Sequence, residues 1–318
     1  MSFGLIFFII GSPGVALAAT LPTGANVVHG EVDLQTSKPD TLRIIQNSQS
    51  AIVNWQSFDI GHGALVDIVQ PNIDAAMLSR VVGHNLSEIH GSLNANGHLY
   101  LINPSGILFG SNARIDVNAL IASSLDLADS AFLSGNISFD GDSEAKIMNL
   151  GSIKADEFAA LIGGDVVNSG SILSDGGAVG LLAAGTTFQV GQTSGGTISL
   201  DISGLLNGSA TQDGLIDVTS TNGEGGQVLV NGNIDVTATS RSSTLANGAP
   251  IGDGGVVIYF SENSASWKPD AIISAEGGNV GGNGGFVELS GLLDLQLSGS
   301  HISTAAPNGE TGIFLIDP

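Results

Sequence analysis

Two segments of the chain are near copies of each other, and this repeat constrains the fold more than any other feature. Residues 149–156 read Asn-Leu-Gly-Ser-Ile-Lys-Ala-Asp, and residues 168–175 read Asn-Ser-Gly-Ser-Ile-Leu-Ser-Asp. More degenerate copies of this repeat begin at Gly30, Gly91 and Gly232. A period of about 20 residues, with short strands and Gly or Asn turns, is typical of a solenoid in which stacked coils build one continuous core.

Short runs of alternating apolar and polar residues indicate that the repeating unit is made of β-strands. The runs are residues 31–34, 64–69, 114–117, 227–230, 234–237 and 293–297. Such alternation turns one side of each strand inward. Glycine supplies 46 of the 318 residues, which favours many tight turns. The sequence therefore predicts an all-β fold, a right-handed single-stranded parallel β-helix.

Two other folds with short strands fit less well. A leucine-rich repeat has a similar period, but the Leu-x-x-Leu-x-Leu spacing is not seen. A sandwich or barrel would join unrelated strands by hairpins and would not repeat one unit. The β-helix is favoured over both.

The domain organisation follows from the needs of a solenoid. Because an uncovered end coil invites edge-to-edge association, we expect an N-terminal cap. Residues 20–60 are less regular and contain Trp55 and Phe58, which suits that role. We divide the chain into a signal peptide at 1–18, the cap and first coils at 19–140, and further repeats of the same solenoid at 141–318. The lack of a capping signal at residues 316–318 favours a fragment of a longer product over a complete small protein.

The N-terminus predicts export. Residues 3–10 are an apolar run, and Ala16-Leu17-Ala18 fits a small-x-small cleavage site, so we expect the mature chain to begin near Ala19. Residues 1–4 contain no Lys or Arg, which departs from the usual pattern and leaves the true start open. The run is far below the roughly 20 residues that cross a bilayer, and no later segment is long enough. We expect no membrane insertion of the mature chain.

Charge and cysteine content narrow the partners. The net charge is −22, from 30 acidic and 8 basic residues, so nucleic acid and anionic lipid are poor partners. The chain has no cysteine. In an exported protein this means that no disulfide locks the chain before it reaches its destination.

One stretch carries a family resemblance. Residues 101–110 read Leu-Ile-Asn-Pro-Ser-Gly-Ile-Leu-Phe-Gly, and residues 119–127 read Ala-Leu-Ile-Ala-Ser-Ser-Leu-Asp-Leu. Residues 70–73 read Gln-Pro-Asn-Ile, with Arg80 following. Together these closely resemble the secretion domain of filamentous haemagglutinin-like exoproteins of Gram-negative two-partner secretion systems. Segments 149–185, 284–291 and 312–318 extend the resemblance over nearly the whole mature chain.

The resemblance implies that two turns lie in the segment needed for export by an outer-membrane β-barrel transporter with periplasmic domains. Their residues are Gln70, Pro71, Asn72 and Ile73, and Asn103, Pro104, Ser105 and Gly106. Ser105 replaces an Asn of the family pattern, but the second turn still suits a type I turn. Gln70 and Ile73 replace Asn and Leu, and Gln70 loses the Asx hydrogen bond of the first position. The alternative is that both turns only stabilise the cap and first coils.

The resemblance further implies a secreted adhesin or haemagglutinin-like surface protein that reaches the cell surface or extracellular space and meets a host-cell glycan or protein receptor. A secreted β-helical polysaccharide-degrading enzyme is the alternative from another class. Such sites gather Asp beside Lys, Arg or His on one face, whereas the basic residues here are few and scattered, so we expect no enzyme. The delivery stem of a contact-dependent toxin and a haem-acquisition protein also remain open.

No metal or cofactor is expected. His29, His62, His84, His90 and His98 crowd the first third of the chain, but without the spacing of a metal or haem site. The glycine-rich residues 277–285 lack the Asp of calcium-binding nonapeptides and the Lys of a phosphate loop. We interpret them as a turn region.

Overall fold

The computed structural model of the chain describes residues 20–183, 185–191, 197–202 and 207–318. The elements in chain order are β1 (Asn26–His29), β2 (Val32–Lys38), β3 (Thr41–Gln46), β4 (Ser50–Trp55), β5 (Leu65–Val69), β6 (Ala76–Val81), β7 (Ser87–Ile89), β8 (Ser92–Ile102), β9 (Ile107–Phe109), β10 (Arg114–Ser123), β11 (Asp126–Leu127), α1 (Asp129–Ser134), β12 (Ser138–Asp140), β13 (Lys146–Asn149), β14 (Ser152–Ile162), β15 (Asp165–Asn168), β16 (Ser171–Leu173), β17 (Ala178–Ala183), β18 (Thr186–Gly191), β19 (Thr197–Ile202), β20 (Ser209–Gln212), β21 (Leu215–Asp217), β22 (Gln227–Gly232), β23 (Asp235–Ala238), β24 (Ser243–Leu245), β25 (Val256–Ser261), β26 (Ser264–Trp267), β27 (Ile272–Ser274), β28 (Phe286–Gly291), β29 (Asp294–Leu297), β30 (His301–Ser303) and β31 (Ile313–Asp317).

Most strands stack in parallel on three faces, which confirms the predicted β-helix. The first face is β3, β5, β8, β10, β14, β16, β21, β24, β27 and β30. The second is β4, β6, β8, β10, β14, β17, β22, β25, β28 and β31. The third is β7, β9, β13, β15, β20, β23, β26 and β29. The long strands β8, β10 and β14 each serve two faces.

The core is a set of aliphatic ladders, one residue per coil. The near copies lie on neighbouring coils, with Asn149 opposite Asn168 and Ile153 opposite Ile172. A ladder on the second face runs through Ala51, Met77, Leu99, Leu120, Ala159, Val179, Val228, Val257 and Val287. All of these side chains are buried. Each coil therefore adds apolar burial at roughly 25 cal/mol per Å².

Two antiparallel strands lie at the N-terminal end of the solenoid. β1 pairs with β4, and β2 pairs with β3. The residues of β1 are exposed, whereas Trp55 and Phe58 are buried in the main core with ring centroids 5.5 Å apart. The bulky residues therefore fill the first coil rather than the cap strands. The domain boundary at residue 140 stays a prediction.

A module outside the solenoid covers the second face, and the sequence analysis did not predict it. We call β11, α1, β12, β18 and β19 the outer module; its strands form one four-stranded sheet. It buries a second apolar cluster against outward residues of the solenoid, including Ile52, Leu78, Tyr100 and Ile121. The ring of Tyr100 meets that of Phe132 edge-on at 5.3 Å. The second face is thus apolar on both sides, as buried parallel sheets are.

Arg80 fixes the outer module to β6. Its Nε donates to Asp126 Oδ1 at 2.8 Å, its Nη1 to Asp129 Oδ1 at 2.8 Å, and its Nη2 to the carbonyl of Leu127 at 2.6 Å. Burial disfavours the charged guanidinium, but the hydrogen bonds to Asp129 and Asp126 outweigh it and raise the pKa of Arg80. One side chain therefore satisfies three acceptors of the module.

Stacked glycines form one corner of the last four coils. The motif is Gly-Glu-Gly-Gly at 223–226, Gly-Asp-Gly-Gly at 252–255, Gly-Asn-Gly-Gly at 282–285 and Gly-Glu-Thr-Gly at 309–312. A Cβ on Gly252 would lie 1.9 Å from the carbonyl oxygen of Gly223, and one on Gly309 would lie 1.9 Å from that of Gly282. The backbones pack too closely for any side chain. The predicted turn region at 277–285 is part of this corner.

The sequence analysis predicted a signal peptide and no membrane-spanning segment in the mature chain, and the structure bears only on the second prediction. The signal peptide at 1–18 lies outside the described residues. Within the described ranges, no helix is long and apolar enough to span a bilayer.

Candidate functional site

The first predicted turn, residues 70–73, is tied into the solenoid by its first residue. Gln70 is 4% exposed, and its Nε2 donates to Gln46 Oε1 at 3.2 Å and to the carbonyl of Ala75 at 2.8 Å. Its backbone pairs with the amide side chain of Asn96, the N–H donating to Oδ1 at 2.7 Å and the carbonyl accepting from Nδ2 at 3.0 Å. Gln70 thus closes the turn from inside the protein, which replaces the Asx bond that the sequence predicted to be lost.

The remaining residues of this turn face solvent. Asn72 Oδ1 accepts from the N–H of Asp74 at 3.0 Å, so the Asx turn forms two residues later than in the family pattern. Pro71 and Asn72 are exposed, and Ile73 is 54% exposed. The surface that the folded turn offers is Pro71, Asn72 and Ile73.

A buried pair supports the same turn from below. His98 Nε2 lies 2.9 Å from Glu157 Oε2, and both side chains are largely buried. Asn118 Nδ2 lies 3.3 Å from the same carboxylate oxygen and donates to the carbonyl of Ile73 at 3.1 Å. Burial, helped by the negative charge of Glu157, raises the pKa of the Tyr100 hydroxyl. The turn therefore depends on residues of two later coils.

The second predicted turn, residues 103–106, forms as the sequence predicts. The N–H of Gly106 donates to the carbonyl of Asn103 at 2.9 Å, and that of Ser105 donates to Asn103 Oδ1 at 2.9 Å. Asn103 is fully buried and donates from Nδ2 to Ser87 Oγ at 2.9 Å. Gly106 has a φ of +98°, and a Cβ there would lie 2.6 Å from the carbonyl oxygen of Lys146. Only glycine suits this position.

The structure does not bring the two turns together. Residues 70–75 lead into the second face at the start of β6, whereas residues 103–106 leave that face after β8. They lie at opposite ends of strands of about six residues, a separation of roughly 20 Å. A partner that binds both in the folded protein must span the width of the second face.

A charged column on the first face was missed by the sequence analysis. The register places Arg43, Asp67, Asn94, Asp116 and Lys154 opposite one another on five successive coils. Arg43 Nε lies 3.6 Å from Asp67 Oδ2, and Lys154 Nζ lies 3.4 Å from Asp116 Oδ1. The expectation that the basic residues are scattered is therefore wrong for Arg43 and Lys154, which share this column. The intervals of 24, 27, 22 and 38 residues between members hid the column, because coil length varies.

A groove of about 550 Å³ opens on this column and is bordered by Ile73 of the first turn. By contrast, the described residues contain no group of three or more His, Asp or Glu side chains arranged to hold a metal ion. The groove is the second candidate site, after the two turns.

Comparison with known proteins places the chain in a family. The model of the TPS secretion domain, the domain of two-partner secretion exoproteins, matches residues 18–233. A Heme/hemopexin-binding protein of Haemophilus influenzae strain Rd is 34% identical over 185 residues, which are 54% of this chain and 20% of that protein. A second protein of that name from H. influenzae is 40% identical over 116 residues, 36% of this chain and 12% of the relative. The matched regions thus span a fifth or less of these relatives.

A solved structure supports the fold. The HMW1 secretion domain from Haemophilus influenzae superposes with a TM-score of 0.54 at 21% identity, covering 93% of this chain and all of that one. At this identity the similarity concerns the fold alone. The family match carries the assignment: the chain belongs to the TPS secretion domain family and is a secreted exoprotein of a two-partner secretion system, exported to the cell surface or the extracellular space.

Proposed function

We propose that this exoprotein acts as an adhesin or haemagglutinin-like surface protein and has no enzymatic activity. The observation that carries the proposal is the family match over residues 18–233. An acidic solenoid with an outward polar column is suited to presenting a binding surface to a host-cell glycan or protein. The test is adherence of the secreted chain to host cells and agglutination of red cells. Release of reducing sugars from acidic polysaccharides, at a rate above that of buffer, would count for the enzyme instead.

The partner in export is an outer-membrane β-barrel with periplasmic domains, and it binds residues 70–73 and 103–106 before the chain folds. The burial of two side chains in these turns supports binding before folding. The amides of Gln70 and Asn103 are enclosed in the folded protein, so a partner reaches them only on the unfolded chain. The competing explanation is that these residues matter only for stability.

A matched set of variants separates recognition from stability. Asn103→Ala removes a buried amide inside the second turn, and Asn168→Ala removes a buried amide outside both turns. Secreted protein is measured for each, together with the unfolding midpoint of the purified chain. Recognition predicts that Asn103→Ala lowers secretion far more than Asn168→Ala at a comparable loss of stability. Equal losses of secretion would leave only the structural role.

Folding of the chain outside the cell makes export unidirectional. The chain has no cysteine to lock it in the periplasm, and each coil that stacks outside buries apolar area and opposes return. Val179→Asp and Val228→Asp place charges on adjacent rungs of the second-face ladder. Unchanged secretion of the double variant would refute this source of direction.

Haem binding is a second candidate, favoured by one observation: both curated relatives are named Heme/hemopexin-binding protein. Titration of the secreted chain with hemin, followed by its absorbance, tests it. Haem binding would be established by a saturable change in absorbance that is lost on substitution by alanine of one or more of the five histidines in the first third of the chain. These are His29, His62, His84, His90 and His98. An unsaturable, linear change would dismiss it.

A further inference from the structure

The groove on the first face has unused hydrogen-bonding groups at its centre. The side chain of Asn94 makes no hydrogen bond within the described part of the chain, and it stands between Asp67 and Asp116. Cations lie at the two ends, Arg43 on the first of the five coils and Lys154 on the last. The groove therefore offers a row of acceptors with a free amide in the middle.

These groups match the chemistry of sugar hydroxyls. A hydroxyl both donates and accepts, so it pairs with a carboxylate on one side and with an amide or guanidinium on the other. Neighbouring coils repeat at about 4.8 Å, close to the length of one pyranose along a chain. The exposed side chain of Ile73 gives the groove one apolar wall for the C–H face of a ring. The volume of about 550 Å³ is that of a small-ligand site.

The charge of the groove selects among sugars. Asp67, Asp116 and Asp156 line the groove. Arg43 in its wall and Lys154, which pairs with Asp116 and Asp156 at one end, still leave the carboxylates in excess, in a protein of net charge −22. Uronic and sialic acids are repelled by such a surface, whereas neutral and amino sugars are not. We propose that the groove binds a neutral or amino-substituted oligosaccharide, which lies along the column and crosses the coils. This deepens the proposed adhesin function by naming the class of receptor.

The test uses the purified secreted chain and three trisaccharides: chitotriose, its fully deacetylated form, and trigalacturonic acid. Isothermal titration measures their binding to the wild type, Asp67→Ala, Asn94→Ala and Asn112→Ala. Asn112 is an exposed asparagine outside the groove that makes no side-chain hydrogen bond among the described residues. We expect one or both of the first two sugars to bind, and to bind about tenfold more weakly to the groove variants. The Asn112→Ala variant should bind like the wild type.

Several results would overturn the groove assignment. They are the absence of binding by chitotriose and its deacetylated form, tighter binding of trigalacturonic acid, or an equal loss in Asn112→Ala. Release of reducing ends from chitotriose would show that the protein cleaves this sugar, and it would overturn a role in binding alone. Adherence to cells is scored separately on the same chain. Adherence without trisaccharide binding refutes the groove alone, whereas trisaccharide binding without adherence refutes the adhesin proposal alone.

Discussion

Asn149 donates a hydrogen bond from Nδ2 to Oδ1 of Asn168 at 2.8 Å, from one coil of the β-helix to the next. Asn168 in turn donates to Gln212 Oε1 at 2.8 Å, and all three side chains are fully buried. The ladder also satisfies backbone groups at this corner, since Asn149 Oδ1 accepts from the N–H of Gly151 at 3.0 Å. The two near copies in the sequence are therefore joined by the residue with which each begins.

Asn168→Ala should interrupt this ladder in the middle. It leaves the Asn149 donor and the Gln212 acceptor without their partner inside the core, where an unsatisfied polar group costs about 1–3 kcal/mol. Chemical unfolding should show a fall in the free energy of unfolding of this size or more. Asn112→Ala, at an exposed turn, should change it by less than about 0.5 kcal/mol. Equal values for the two variants would contradict a stabilising ladder.

Arg80→Met should loosen the outer module. The substitution leaves a side chain of similar length but removes the contacts with Asp126, Asp129 and the Leu127 carbonyl. Because both carboxylates are partly exposed, we expect a loss of about 1–3 kcal/mol rather than that of a fully buried pair. Limited proteolysis should cut residues 124–145 sooner than in the wild type.

The control for this variant is Arg114→Met, because Arg114 is exposed and has no side-chain partner within the described residues. Its cleavage should match the wild type. Unchanged cleavage in Arg80→Met would show that apolar packing alone holds the module.

Gly252→Ala should destabilise the glycine corner. The added Cβ would lie 1.9 Å from the carbonyl oxygen of Gly223, so the two coils must separate, at a cost of about 1–3 kcal/mol. Gly281→Ala is the matched control, since its Cβ would find Ile251 Cγ2 at 3.7 Å, an ordinary contact. Thermal unfolding should lower the midpoint for the first variant only. A similar midpoint for both would refute close backbone packing at this corner.

Asp213 should contribute stability that disappears in acid. Burial opposes its charged form, but hydrogen bonds from Thr239, Arg241 and Ser169 outweigh it and lower the pKa of Asp213. A carboxyl with a lowered pKa in the folded state stabilises fully above its unfolded pKa, near 3.9, and loses that contribution as the pH falls through the folded value.

Asp213→Asn should therefore lower the free energy of unfolding at pH 7 and flatten its decline below about pH 4. Unfolding curves from pH 2 to 7 measure this. Asp142→Asn, at an exposed carboxylate without a hydrogen bond among the described residues, should leave the pH profile parallel to that of the wild type. A profile for Asp213→Asn that is as steep as the wild type would contradict the prediction.

The turn residues show how far local sequence reaches. The turn at 103–106 was predicted because an Asn, a Pro and a Gly at fixed positions encode it within four residues. The role of Gln70 was not, because its partners Gln46 and Ala75 belong to a neighbouring coil and to the far end of the loop. The outer module was missed for a related reason. β12 pairs with β19, which lies about 60 residues later, and a local sequence pattern does not predict a pairing over that distance.

The repeating unit can be deduced from local sequence, since alternation of apolar residues and the chemistry of Gly and Asn turns act between residues that are close along the chain. The contacts between residues of different coils, by contrast, depend on how the folded coils pack. Asp67, Asn94 and Asp116 form one column, and Arg80 reaches Asp129, because coils of unequal length stack in register. That register is set by the packing of the whole solenoid, where every coil fixes the position of the next.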